Sequence, residues 1–308
     1  MENTILIGTA LNDHVRFYLG DTTKMVDDAR RIHDMWPTSL AALGRVMSIT
    51  ACMGLMQKSE DETVTVNING GGSIGTIMCV ANGLGQVKGF VGDPQLYLKY
   101  NSNNKLAVGL VVGKDGYLKV IKNLGLKQNY TSQVKLQSGE IGDDFAYYFA
   151  ASEQSPAIVS VGVLVDEDYS CKASGVLIIE LLPNHTEEDI QYLENLLKDL
   201  KPISSVLEKD RDLYKYLNSL FKDAKILEKA NVEYKCDCSR ERFMANLLTL
   251  PKKDIEELAS EEKIEVHCEF CNKTYEYSKE DLLTVLTYAN RKCKDWKTGN
   301  YGTNGGSI

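Results

Sequence analysis

Four of the eight cysteines in the sequence fall into two tight pairs. Cys236-Asp237-Cys238 is followed, after twenty-nine residues, by Cys268-Glu269-Phe270-Cys271. Two close pairs separated by a short folded segment supply four thiolates. That is the donor set of a tetrahedral structural zinc site, closed to water and substrate. The surrounding segment has little apolar material for a core, so bound metal would supply what the core lacks. Structural zinc is worth on the order of 10 kcal/mol in units of this size, so the unit should fold with zinc and loosen without it. The single residue between Cys236 and Cys238 sets the first pair apart. Most structural knuckles space their cysteines by two or more, and a bridge closing so small a ring is strained and easily reduced, as regulatory bridges are. Lys235, Arg240 and Arg242 stand nearby and are expected to favour thiolate character.

The remaining chemistry-bearing residues carry weaker signals. Cys52, Cys79, Cys171 and Cys293 are scattered singly. Cys52 and Cys79 lie in apolar segments and read as small buried hydrophobes. Cys293 has Arg291, Lys292 and Lys294 beside it but no partner in the sequence. His14, His33, His185 and His267 form no ligand spacing among themselves, and His267, next to Cys268, reads as a neighbour of the site rather than a ligand. Gly70–Gly75 (GGGSIG) matches both a dinucleotide-binding fingerprint and a nucleophile elbow centred on Ser73, yet both need a helix to follow. Thr76–Val80 and a second glycine turn follow instead, so the glycines read as hairpin turns.

The elements that would position the cysteines can be read coarsely. At 308 residues the chain fits two domains with connecting elements, and 43% hydrophobic with 25% charged residues is an ordinary globular composition. Up to about residue 183, β-branched runs alternate with glycine-rich turns: 63–68, 76–80, 86–91, 117–121 and 176–182 read as strands. Two helices interrupt them, about 38–57 after Pro37 and about 141–152. The class is α+β, with a mainly antiparallel sheet domain at residues 1–183. From Thr186, Ile190, Leu193, Leu196, Leu197 and Leu200 mark one helical face, with Thr186 and Asp189 placed as a capping box. Pro202 ends that helix, and shorter stripes follow at Ile203, Val206 and Leu207 and at Leu213, Leu217 and Leu220. Residues 184–231 thus read as a helical linker of modest intrinsic stability. Residues 232–295 form the small zinc-binding unit, with two short helical segments between the cysteine pairs and a helix at about 278–292. Residues 296–308 are a polar, glycine-rich tail expected to be disordered.

These features resemble the heat-shock protein 33 family of redox-regulated holdase chaperones, from the first strand to about Lys294. The resemblance rests on Cys-Asp-Cys-Ser-Arg-Glu-Arg at 236–242 with Cys-Glu-Phe-Cys at 268–271, and on Pro37 followed by Ala41-Ala-Leu-Gly-Arg45. Ser138-Gly-Glu-Ile141, Ser152-Glu-Gln154 and Leu181-Leu-Pro183 add to it. Trp36 and Ser174 depart from the common pattern without touching the cysteines. The resemblance implies a protein that is not an enzyme. Reduced and holding one Zn2+ on Cys236, Cys238, Cys268 and Cys271, it is inactive. Oxidants join Cys236 to Cys238 and Cys268 to Cys271, zinc is released, and the switch and linker unfold to expose a surface for unfolded or aggregation-prone client proteins. Cellular thiol reductants are the implied reversing partners, with a homodimer in the oxidised state.

Charge and patterning set aside the competitors. The formal net charge is -8, and between Cys236 and Lys297 eleven Lys/Arg face thirteen Asp/Glu, which disfavours a zinc ribbon that binds nucleic acid. A thiol-disulfide oxidoreductase using Cys268 and Cys271 would want a βαβ setting, which the sequence lacks. The start, MENTILIGTALNDHVRF, has no basic stretch ahead of its apolar run, and the apolar run at 157–165 is far short of a membrane span. The expected location is the cytoplasm, without membrane or nucleic-acid partners.

Overall fold

The computed structural model describes residues 3–287 apart from 101, 103, 104 and 285. The chain divides into two compact units, Met1–Lys235 and Cys236–Ile308. The first opens with β1 (Thr4–Ala10), β2 (Val15–Asp21), α1 (Thr23–His33) and α2 (Pro37–Leu55). Next come β3 (Thr63–Asn69), β4 (Ile77–Asn82), β5 (Gln86–Val91), α3 (Val108–Val112), β6 (Tyr117–Asn123) and β7 (Tyr130–Lys135). Helix α4 (Gly142–Ala151) leads to β8 (Ala157–Val165) and β9 (Cys171–Leu181). Then follow α5 (Glu187–Asp199), α6 (Ile203–Lys209), α7 (Leu213–Leu220), β10 (Lys225–Asn231) and β11 (Glu233–Tyr234). The second unit holds α8 (Arg240–Leu247), α9 (Lys252–Leu258), β12 (Lys263–His267) and β13 (Thr274–Ser278).

The strands of the first unit form two sheets. One is five-stranded and antiparallel throughout, ordered β10-β1-β2-β9-β8; the other is six-stranded, ordered β11-β5-β4-β3-β6-β7, with only the β11–β5 pair parallel. Helix α2 packs against strands of both sheets. Pro37 at its first turn presets the helical backbone, and the residues from Pro37 to Gly54 are buried but for Arg45. A helix apolar on every side must be covered on every side. Among the described residues α2 is the one helix long and apolar enough to cross a membrane, a stretch longer than the 157–165 run singled out from sequence, and here its surface is buried inside the fold. Gly44 permits the close approach, since a Cβ there would stand 2.7 Å from Val26 and 2.9 Å from Val163.

Side chains of the five-stranded sheet alternate between two cores. Ile5, Ile7, Tyr18, Val176 and Ile178 face the core built around α2, while Leu6, Phe17, Leu19, Leu177 and Ile179 face a second core. That second core is completed by the connector: Leu193 of α5, Ile203 and Leu207 of α6, and Leu213, Leu217, Leu220 and Phe221 in and after α7. Phe221 stacks on Phe17 and on Tyr192, with ring centres 6.5 and 6.1 Å apart.

Polar clasps fix the same segment. Arg211 donates to Asp21 Oδ2 at 2.8 Å, to Thr23 Oγ1 at 3.0 Å and to the Lys172 carbonyl at 2.6 Å. His14 Nδ1 lies 2.7 Å from Asp189, whose carboxylate closes the capping box with Thr186. Asp223 accepts the backbone N–H groups of Leu11 and Asn12. The linker is helical only as far as Leu220: Lys225–Asn231, expected in a helical linker, is strand β10, because the backbone of β1 needs a partner on that edge.

Phe221→Ala would remove the aromatic plug of the second core, a loss of about 3–5 kcal/mol where the cavity stays open. Limited proteolysis should then cut 184–224 much faster, while amides of α2 stay protected from exchange. Equal loss of protection in α2 would show that the two cores unfold as one.

Candidate metal centre

The second unit is small, and its core is correspondingly thin. Leu247, Ile255, Ala259, Tyr277 and Leu282 are buried, with Phe243, Ile264, Val266 and Tyr275 packed against them. Strands β12 and β13 pair antiparallel from Lys263↔Ser278 to His267↔Thr274. The six-residue turn between them carries the second cysteine pair. Cys268 N–H donates to the Lys273 carbonyl at 2.9 Å, and the N–H groups of Cys271 and Asn272 donate back to the Cys268 carbonyl at 3.2 and 2.8 Å. Asn272 adopts φ 58°, a left-handed conformation that Asn tolerates and that turns the chain out of the knuckle. The first pair precedes α8, whose N-terminus is capped by Ser239 accepting from Arg242 N–H.

These two local structures bring the sulfurs of Cys236, Cys238, Cys268 and Cys271 together, all within 4.8 Å of one another. The distances are 3.7 Å for Cys236 to Cys268 and 3.3 Å for Cys238 to Cys271. A tetrahedral ion about 2.3 Å from each thiolate sets neighbouring sulfurs roughly 3.8 Å apart, so the cluster has the size to hold a metal ion. Its surroundings favour sulfur donors only. His267 is exposed, with its ring nitrogens 3.3 Å from Thr274 Oγ1 and 3.4 Å from Asn272 Oδ1, outside the sulfur cluster.

Tyr275, missed when the chain is read by composition and spacing alone, supports the site. Its hydroxyl lies 3.2 Å from Cys238 Sγ and donates to the Cys238 carbonyl at 3.1 Å, and its ring packs 5.3 Å from Phe243. Burial pushes the Cys238 thiol up, but the Tyr275 hydroxyl and the neighbouring thiols stabilise its thiolate more, bringing it down to about 7. Burial pushes Cys271 up to about 11 and raises Cys236 further. Before metal binds, the thiolate of Cys238 is thus favoured over those of Cys271 and Cys236.

The basic residues expected to activate the sulfurs are engaged elsewhere. Arg240 pairs with Asp281 at 2.7 Å, donates to the Glu276 carbonyl and lies 4.8 Å over the Tyr277 ring; Arg242 pairs with Asp237, and Lys235 with Glu233. Tyr277 in turn donates to the Arg240 carbonyl at 2.8 Å, so this cluster ties α8 to β13.

The other candidates are not members of the sulfur cluster. Cys52 and Cys79 are buried, and burial raises both thiols; Cys171 is raised to about 12 by burial and by Asp27 and Asp21. They read as inert packing groups. Ser73 sits in the β3–β4 hairpin, followed by a strand rather than a helix, and Gly72 and Ile74 donate to Val112 and Val111 carbonyls. His14 meets Asp189, His33 Nε2 lies 3.1 Å from the Tyr234 hydroxyl, and His185 Nδ1 contacts the Leu182 carbonyl. Of the helix expected at 278–292, residues 279–284, 286 and 287 are helical, and 288–292 lie outside the described residues, as do Cys293 and the tail 296–308.

Comparison with known proteins decides the family. The Hsp33 protein family model matches residues 3–278. The chain belongs to the Hsp33 family. It is 44% identical over 285 residues to the 33 kDa chaperonin of Alkaliphilus oremlandii, covering 92% of this chain and 95% of that one. The 33 kDa chaperonin of Geobacillus kaustophilus is 42% identical over 295 residues, covering 95% and 100%. The crystal structure of the 33 kDa chaperonin from Thermotoga maritima superposes with a TM-score of 0.85 at 34% identity, over 94% of this chain and 100% of that one. The Hsp33 family consists of molecular chaperones, not enzymes, and the α+β architecture is that of Hsp33.

Asp281 gives a test of what supports the cluster. Its carboxylate is held down to about 2, first by Arg240 and then by the Ser278 N–H and hydroxyl that it accepts. A lowered pKa means the contribution is complete above the ordinary carboxylate range and fades as pH falls toward about 2. Asp281→Ala should therefore weaken the second unit by about 1 kcal/mol at neutral pH, the usual worth of a lost cap, and speed metal loss to a chelator several-fold. Unchanged chelation kinetics would show that Asp281 has no part in supporting the cysteines.

Proposed function

We propose that this Hsp33-family chaperone is a redox-regulated holdase of the cytoplasm, held inactive by zinc on Cys236, Cys238, Cys268 and Cys271. The convergence of four thiols carries the reading. A closed, all-sulfur set suits zinc or an iron–sulfur centre, and Cys268-x-x-Cys271 on the β12–β13 turn has the spacing of a structural zinc knuckle. Bound zinc would hold the sulfurs as thiolates and tie the two knuckles together.

Peroxide takes two electrons from each cysteine pair. A sulfur–sulfur bond forms, one peroxide is reduced to two waters, and the paired sulfurs cease to be thiolate donors. We assign the bonds as Cys236 to Cys238 and Cys268 to Cys271. Cross-pair sulfurs are also close, but bridges between the knuckles would close loops of about thirty residues and favour compactness by about 3–4 kcal/mol, opposing release. Without metal, the thin core of the second unit no longer holds, and the connector loosens from the five-stranded sheet. Leu6, Phe17, Leu19, Leu177 and Ile179, now covered by α5–α7, become a surface for unfolded proteins. Thiol reductants reverse the process, and exposed sheets favour a dimer.

Zinc content and light scattering of an aggregating client, measured on one sample before and after peroxide with mild heat, test this. About one zinc per chain should be lost as suppression of aggregation rises, and Cys268→Ser should lower zinc occupancy in the reduced chain. Full occupancy in Cys268→Ser would sink the ligand assignment. Peptide mapping that finds Cys236 or Cys238 joined mainly to Cys268 or Cys271 would overturn the pairing.

A further inference from the structure

We propose that β10 is an internal stand-in for client, and that on activation an extended client segment pairs along the β1 edge that β10 leaves. This deepens the reading above and rests on the linker coming free.

The two strands are badly matched in burial. Every residue of β1 is buried, from Thr4 to Ala10. In β10 only Ala230 is buried, while Lys225 to Lys229 and Asn231 are exposed. Pairing puts Lys229 opposite Leu6 and Glu228 opposite Ile7, and a bulge between Ile7 and Gly8 leaves Leu227 outside the register and 68% exposed. Lysine, glutamate, alanine and asparagine are poor strand residues, and charged side chains opposite buried leucine and isoleucine bury less apolar surface than β-branched or aromatic ones would. What β10 supplies is backbone. It satisfies the N–H and C=O groups of a strand that would otherwise present an open, apolar edge.

Such a strand is easily displaced by a better one. When it leaves, β1 offers a row of backbone groups flanked by Leu6 on the face that α5–α7 cover and by Ile5 and Ile7 on the other. Backbone pairing accepts any extended sequence, and β-branched or aromatic side chains opposite Leu6 and Ile7 would bury more than Lys229 and Glu228 do. The partner is therefore an extended, apolar segment of an unfolding protein, held by strand addition. The sheet's opposite edge, β8, ends the order on the other side and serves as an internal comparison.

Hydrogen exchange on the full chain tests this, with a permanently unfolded carboxymethylated protein and two eight-residue Val/Thr peptides as probes, one N-methylated at alternate residues. Oxidation should open the amides within 4–10 that β10 holds, leaving those bonded to β2 closed. The unfolded protein and the plain peptide should close them again, and the plain peptide should compete with client about tenfold better than its N-methylated twin. The double variant Glu228→Val, Lys229→Val changes only exposed residues and should lose zinc normally on oxidation, yet keep 4–10 protected and suppress aggregation less. Equal competition by both peptides, protection appearing on 157–165 instead, or full activity in a variant whose 4–10 amides stay closed would each overturn the proposal. So would closure of 4–10 without client at doubled mass, which assigns the edge to a second copy. If oxidation opens neither 225–231 nor the linker helices, the underlying switch fails as well; if it opens both and client binds without closing 4–10, strand pairing alone is wrong.

Discussion

The five-stranded sheet is apolar on both faces, and the rest of the molecule answers that fact. An antiparallel sheet usually faces water on one side. Here Ile5 and Ile178 turn toward α2 while Leu6 and Ile179 turn toward the connector. The first cover is permanent, because α2 is itself enclosed by strands of both sheets. The second is assembled from three short helices, none longer than the thirteen residues of α5. Helices of that length gain their stability from docking, so cover and covered surface depend on each other.

Dependence of this kind makes the connector sensitive to small changes elsewhere. Ordering a residue costs roughly 1–2 kcal/mol, and a fully buried large apolar side chain contributes about 1.5–3 kcal/mol. Most connector side chains are exposed or half-exposed, so the few that fill the second core offset the ordering of many that do not. Arg211 and Asp189 act at this margin. Each reaches from the connector to a polar group at the sheet's rim, Asp21 and His14 respectively, and so fixes register more than it adds stability.

The sequence made the cysteine cluster legible because metal ligation constrains residue type and spacing together, and no apolar periodicity imitates C-x-C with C-x-x-C. Helices α2 and α5 were legible for similar reasons: Pro37, Thr186 and Asp189 are punctuation that acts through backbone groups close in sequence. Tyr275 was not, since a tyrosine in a short strand reads as packing until the fold brings its hydroxyl to Cys238. The reading of Arg240 and Arg242 failed through the same blindness. Proximity in sequence put them beside the sulfurs, whereas Asp281 and Asp237 claim their charges. Strand β10 hid because Lys-Ile-Leu-Glu-Lys-Ala-Asn has neither the alternation nor the composition of a strand. Its conformation is imposed by the neighbour it completes.

That imposed conformation bears on how loss of metal would reach the sheet under the proposed switch. The chain enters the second unit directly from β11, which has only Glu233 and Tyr234 paired with Gln86 and Val87. Tyr234 reinforces this short contact by donating to the Gly89 carbonyl at 2.9 Å. Just upstream, β10 is anchored in the core by Ala230, and Val232 follows between the two strands. Strand segments so lightly held have free energies of opening near the low end of the range within a native protein. If the residues after Lys235 gain the freedom of an unfolded chain, the adjoining pairs lose the entropic advantage of a fixed neighbour, and fraying proceeds from β11 into β10. The helices α5–α7 then lose their downstream tether. The α2 core gives up Ala230, Val232 and Tyr234 at its margin but keeps the buried strands on either side, so the chain can surrender one cover of its sheet without surrendering the sheet.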